Sequence, residues 1–164
     1  MNRTDLVWTP HGLRAFGRTL PCTIGRTGLT DEKREGDGAT PRGIHRLIGM
    51  LYRPDRIRRP ADWALPIRPG DLWSDDPTDN AYNTLVREPH DLSHECLRRA
   101  DRLYDLVILT DWNWPEGIAH RGSAIFLHRW RKPGYPTEGC VAMAPEDLLW
   151  LAPRIRCETC LIVP

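Results

Sequence analysis

One histidine and one cysteine close off two short apolar runs: Ser123-Ala124-Ile125-Phe126-Leu127-His128, and after a basic, turn-rich loop, Thr137-Glu138-Gly139-Cys140-Val141-Ala142. Cysteine reacts as its thiolate. A nearby imidazole can either take the thiol proton or rest beside the thiolate as imidazolium, and both arrangements activate sulfur for acyl transfer. The run ending at His128 has the composition of a strand. Gly139 lets the backbone approach a ligand closely, with amides free to face a developing negative charge. The spacing of twelve positions, 128 to 140, does not by itself make a pair. Free cysteine is more often a small buried hydrophobe, and a lone histidine more often a satisfied interior residue.

The other reactive residues form weaker patterns. Cys22, Cys96, Cys140, Cys157 and Cys160 are an odd number, so at least one stands outside any intrachain disulfide. Cys157-Glu158-Thr159-Cys160 is a C-x-x-C pair, but no second C-x-x-C or histidine pair completes a metal site. In an extended strand its two thiols would lie roughly 10 Å apart, too far for a disulfide, so its role is structural or incidental. Asp91 to Leu97 reads as one or two helical turns, which would bring His90 and His94 to one face as an i, i+4 pair. No third ligand is specified and no H-E-x-x-H occurs, so a surface or groove-lining role is preferred to a metal. No metal and no cofactor is expected. His94 and Glu95 could instead hydrogen-bond a peptide near the cysteine.

The elements that must hold the pair are mostly strands. Leu103 to Thr110, with its run Val107-Ile108-Leu109, and Ala124 to His128 form the expected central scaffold. Asp5 to Trp8 and Leu13 to Phe16 flank Pro10-His11-Gly12 as a hairpin, and Arg18 to Gly25 should continue the meander. Arg26 to Thr40 has no apolar period and reads as loop, and Gly43 to Tyr52 returns to strand. Pro54 to Pro89 should be irregular, with one short strand near Asp71 to Trp73. After the cysteine, Pro145 at the first helical position and Glu146-Asp147 in the first turn predict a short helix burying Leu148, Leu151 and Ile155. The fold class is therefore mainly β, a mixed sandwich or partly closed barrel with one or two short helices.

Composition sets further bounds. A chain of 164 residues with 40% hydrophobic content supports one domain, 1–164, expected to be a monomer. A formal charge of +1, with no basic stretch interleaved with aromatics, argues against nucleic acid. Fifteen prolines and thirteen glycines cut the chain into short segments, as a turn-rich β architecture requires. The seven tryptophans show no fixed period; most are read as core, while Trp112, Trp114 and Trp130 could wall a groove. No run of about 18 apolar residues spans a bilayer. Met1 to Trp8 enters a strand-like stretch with no export-leader pattern.

The segment from Ala124 to Ala142 resembles the signature of the L,D-transpeptidase catalytic domain, the YkuD type, in which a strand ending in His is followed by Ser/Thr-x-Gly-Cys. Gly36-Asp37-Gly38-Ala39-Thr40-Pro41-Arg42-Gly43 is similar to that family's Gly-Asp-Gly-x-Thr-Pro-x-Gly run, and Tyr104 to Asn113 resembles the strand and Asn before the histidine. The resemblance implies a fold and a reaction. Cys140 would attack a carbonyl of a peptidoglycan stem peptide, His128 would handle the proton, and amides near Gly139 and Cys140 would hold the oxyanion. A backbone carbonyl after the histidine, here that of Arg129, would orient the imidazole. Catalytic candidates are thus Cys140, His128, Gly139 and Arg129, and substrate-binding candidates are Thr137, Tyr135, Glu138, Arg121 and His94. Arg129, Glu138 and Ala142 depart from common family residues, Ala142 standing where many members carry Arg. Arg129, Arg131 and Lys132, in a loop shorter than usual, could supply that charge. The partner implied is a stem peptide or muropeptide in the periplasm or cell envelope, although the missing leader leaves the cytoplasm open. Alternatives on the same site are an L,D-carboxypeptidase or amidase-type hydrolase, or a non-catalytic wall-binding domain of the same fold.

Overall fold

Leu6–Thr9 (β1) folds back on Gly12–Ala15 (β2) as an antiparallel hairpin, and Arg18–Leu20 (β3) adds a third strand. These observations come from a computed structural model that describes residues 4–157 and 159–164. Met1 to Arg3 and Glu158, on which parts of the leader and C-x-x-C readings fall, lie outside the described residues. The meander stops earlier than the sequence suggests. Pro21, which has no amide to donate, ends it, and Cys22–Thr23 (β4) leaves to pair antiparallel with Val141–Met143 (β14).

The loop from Arg26 to Thr40 is tied by a short parallel contact between Leu29–Thr30 (β5) and Thr40–Pro41 (β6). The long strand Gly43–Tyr52 (β7) then forms the spine. On one side it pairs with the last strand, Cys160–Val163 (β15), and on the other with Leu106–Thr110 (β12). Next to β12 lies Phe126–Arg129 (β13), followed by β14. Nine strands thus run in the order β3-β2-β1-β15-β7-β12-β13-β14-β4, and Leu65–Pro66 (β8) pairs with β7. Strand β4 lies against β2, bringing the two ends of this mixed sheet together into a nearly closed barrel.

Side-chain alternation divides the sheet into two cores. Leu47, Met50, Ile108, Leu127, Val141 and Met143 face the barrel interior with Leu6, Leu13 and Leu161. The short helix Pro145–Leu151 (α1) begins at its proline, as expected, and with the following turn caps this core through Leu148, Leu151 and Ile155. The outer face carries Leu51, Val107, Leu109 and Phe126.

The middle of the chain covers that outer face. Asp71–Ser74 (β9), near the one strand expected there, is flanked by Leu85–Arg87 (β10) and His94–Cys96 (β11) in a separate antiparallel sheet. The segment expected to be helical, Asp91 to Leu97, is therefore partly strand. Pairing with β9 overrode the helical spacing, so His90 and His94 meet as ring neighbours, with centroids 5.7 Å apart, instead of sharing a helix face. Trp73 packs edge-on against Phe126 at 5.1 Å, sealing the small sheet to the barrel.

Candidate active site

Parallel pairing of β13 with β14 sets Leu127 against Val141 and His128 against Ala142. Paired residues share a face, and alternate residues along a strand share it too, so Cys140, two positions before Ala142, lies on the same face as His128 and Phe126. Contacts agree with this, since Val141 and Leu127 enter the inner core while Cys140 packs against the outer cluster. Strand β13 starts at Phe126, two residues later than expected, because Ala124 has a left-handed φ of 52° that breaks the extended run. That kink turns the Ala124 carbonyl toward Cys140, whose thiol donates to it at 3.0 Å.

The approach to the cysteine is held by side chains from both motifs. Thr137 donates its hydroxyl to the Cys140 carbonyl at 2.6 Å and accepts the Gly139 amide at 3.1 Å. The Gly139 amide is consequently engaged and is not the free oxyanion donor the sequence suggested. Its residue type is required for another reason. With φ at 143°, a Cβ at Gly139 would lie 2.8 Å from the Ala39 carbonyl oxygen. Ala39 belongs to the upstream Gly-Asp-Gly run, where Asp37 accepts the Ala39 amide at 2.9 Å and pairs with the buried Lys33 at 2.5 Å. The next residue, Thr40, is fully buried and donates to the Gly139 carbonyl at 2.7 Å.

Electrostatics keep the pair neutral at rest. His128 is buried, and its Nδ1 lies 2.7 Å from the Arg129 carbonyl oxygen, which can only accept. Nδ1 therefore carries the proton and Nε2 is left as the basic nitrogen. Burial pulls the imidazole down to about 4, outweighing that hydrogen bond. Burial likewise pushes the Cys140 thiol up to about 12, with the Glu95 charge adding to it and the Phe126 amide, 3.4 Å from sulfur, opposing it. Burial thus disfavours a standing thiolate–imidazolium pair and favours the thiol beside a neutral imidazole.

A cleft of about 470 Å³ opens above these residues. Strand β11 supplies one wall: Glu95 sits opposite Trp73 in the register and so turns toward the barrel. Glu95 accepts the Tyr104 hydroxyl at 2.5 Å, and the Tyr104 ring meets the His128 imidazole edge-on at 5.3 Å between centroids. Arg99 stacks over the Tyr104 ring at 5.2 Å and is held by Asp101 at 2.6 Å.

A family model for the L,D-transpeptidase catalytic domain, YkuD, matches residues 3–163, nearly the whole sequence. The chain belongs to this L,D-transpeptidase family. Among curated proteins none matches. Among solved structures, the chain is similar to an L,D-transpeptidase from Mycobacterium smegmatis, with 14% identity and a TM-score of 0.42 over 93% of this chain and 52% of that one. The chain spans about half the length of that protein.

Within this L,D-transpeptidase domain, four of the five substrate-binding candidates, His94, Tyr135, Thr137 and Glu138, line the cysteine cleft together with His128 and Cys140. Arg121 does not. It stacks over Trp112 at 5.2 Å beside a separate hollow with His45 and Asp111, because the tight turn after β12 carries both residues off the cleft. Trp130, just after β13, lines the cleft, and Trp112 and Trp114 do not. Arg129 contributes its carbonyl, its side chain turning away toward Asp105 at 4.0 Å. Glu138 is ion-paired with Arg26 at an exposed position. Ala142 is fully buried, and the cations lining the cleft are instead Arg99 and Arg131. Tyr104 and Arg99 were missed as site residues. The only sequence signal for Tyr104 was its place at the start of the matched upstream strand, and Arg99 left none.

Proposed function

We propose that this domain is a cysteine acyltransferase acting on peptidoglycan stem peptides, with Cys140 as nucleophile and His128 as base. The observation that carries the reading is the 2.7 Å hydrogen bond from His128 Nδ1 to the Arg129 carbonyl, made on the strand face that also bears Cys140. It fixes the tautomer that a general base needs. Because both groups rest neutral, the thiol proton passes from its Ala124 contact to His128 Nε2 as sulfur attacks the carbonyl, so charge appears only when the acyl donor is in place. The tetrahedral intermediate collapses to a thioester, His128 returns the proton to the departing amine of D-alanine, and a second nucleophile then takes the acyl group. An amine yields a cross-link and water yields a trimmed stem. The family points to the cell envelope as the place of work, and no helix among the described residues is long and apolar enough to cross a membrane.

The test is intact-mass spectrometry of the protein incubated with tetrapeptide-bearing muropeptides, followed by product analysis. The expected result is one acyl mass on the native protein and none on Cys140→Ser. An unmodified native protein whose thiol still alkylates would leave a wall-binding domain as the reading.

A further inference from the structure

The geometry points to Glu95 as the residue that receives the acceptor amine, the group that releases the acyl chain from Cys140; this rests on the acyl-transfer reading of the cleft. The argument starts from partners. Arg99 is held by Asp101, Glu138 is held by Arg26, and His128 is held by a backbone carbonyl. Glu95 is different. It is half-buried, it accepts the neutral Tyr104 hydroxyl, and among the described residues no cation forms an ion pair with it. Asp75 and Glu35 add negative charge to its surroundings, and the cation acting on it, Arg99, is already committed to Asp101.

A carboxylate withdrawn from water without a counter-ion is unfavourable and becomes favourable once a cation joins it. The reaction brings one to this cleft. An alkyl amine arrives at neutral pH as ammonium, since its unperturbed pKa is about 10.4, and must lose a proton before it can attack. Burial makes the Glu95 carboxylate more basic than an ordinary one, so it can both bind the ammonium and accept that proton. The balance is then complete. One ammonium proton goes to Glu95 and the free amine forms a C–N bond to the thioester carbonyl. Its second proton goes to His128 Nε2. The C–S bond breaks, the sulfur leaves with the electron pair, and His128 returns that proton to it. Glu95 finally releases its proton to solvent. Water needs no cation site, so the same carboxylate favours amine over water.

The experiment follows one acyl-enzyme, so that changes in acylation cancel. Protein acylated with a stem tetrapeptide is released by Nα-acetyl-lysine amide, which is cationic, or by hydroxylamine, which is neutral near pH 7, and the aminolysis-to-hydrolysis ratio is measured for each. In Glu95→Gln the ratio for the lysine amide should fall at least about tenfold, the factor a charge-assisted hydrogen bond is worth at the low end of its range, while that for hydroxylamine should shift far less. If Glu95→Gln does not fold, Glu95→Asp retracts the charge by one methylene and should raise the KM for the lysine amide and not for hydroxylamine. Equal losses for both nucleophiles, or none for either, overturn the assignment while leaving the acyl-enzyme intact. A native protein that never gains the acyl mass removes the acyl-transfer reading and this assignment with it.

Discussion

Thr40 donates its hydroxyl to the Gly139 carbonyl at 2.7 Å, joining positions 99 residues apart. The same oxygen accepts the Gly25 amide at 2.9 Å, so one buried hydroxyl ties the turn before Cys140 to the chain at Gly25, just after β4. The Gly-Asp-Gly-x-Thr-Pro run is thereby a support for the cysteine.

Thr40→Val keeps the side-chain shape and removes both bonds. Leaving a buried carbonyl and a buried amide unpaired should lower the unfolding free energy by about 1–3 kcal/mol, measured by urea titration. A stability equal to that of the native protein would mean that water replaces the hydroxyl.

Gly139→Ala should be more damaging, because its Cβ would meet the Ala39 carbonyl oxygen at 2.8 Å in a backbone region that favours glycine. A loss of about 2–4 kcal/mol is expected, together with a changed alkylation rate at Cys140. Thermal unfolding and iodoacetamide kinetics on the two proteins provide the check.

The neutral, buried His128 gives stability a defined pH dependence. Its imidazole falls from 6.5 to about 4 on folding. Between those values the unfolded chain binds a proton that the folded one does not, so its contribution is present above 6.5 and is lost as pH falls through about 4. His128→Gln should flatten this acid limb by close to one proton in the slope of unfolding free energy against pH. Glu95, whose carboxyl is raised by burial, contributes with the opposite sign in both proteins, so the difference isolates His128. Parallel curves would mean that His128 is charged in the fold.

A carbapenem offers the same carbonyl attack with ring strain to drive it. Intact mass should show one added drug molecule on the native protein and none on Cys140→Ser. Arg121→Ala should acylate at close to the native rate, because Arg121 lines a different hollow. A large loss in Arg121→Ala would return that residue to the substrate.

Much of the candidate site lies in contiguous sequence, where its residues can be picked out. His128, Cys140 and the helix beginning at Pro145 follow from local pattern and from the family resemblance, because each is set by neighbours a few residues away. The wall bearing Glu95 was harder to read. His90 and His94 have helical spacing, and only the partner strand β9, some twenty residues upstream, decides that β11 is extended and turns Glu95 inward. The Gly139 amide shows the same limit. A glycine before a cysteine suggests a free donor, but the Thr137 hydroxyl that occupies it becomes visible only once the turn is built. Burial, which sets the charge states of His128 and Cys140, depends on Trp73 and Tyr104 arriving from the middle of the chain.

That middle segment leaves the barrel after β7 and returns before β12, strands that are paired, and the Arg53 amide meets the Asp105 carbonyl at 2.9 Å where the two ends come together. It is therefore a cassette with adjoining ends. Its first part stays with the barrel, since β8 pairs with β7 and Ala64 enters the inner core, while lengthening the small sheet of β9, β10 and β11 changes the wall bearing Glu95 that lines the cleft with Cys140. The lining of the cleft can therefore vary from β9 to β11 separately from the strands that carry His128 and Cys140.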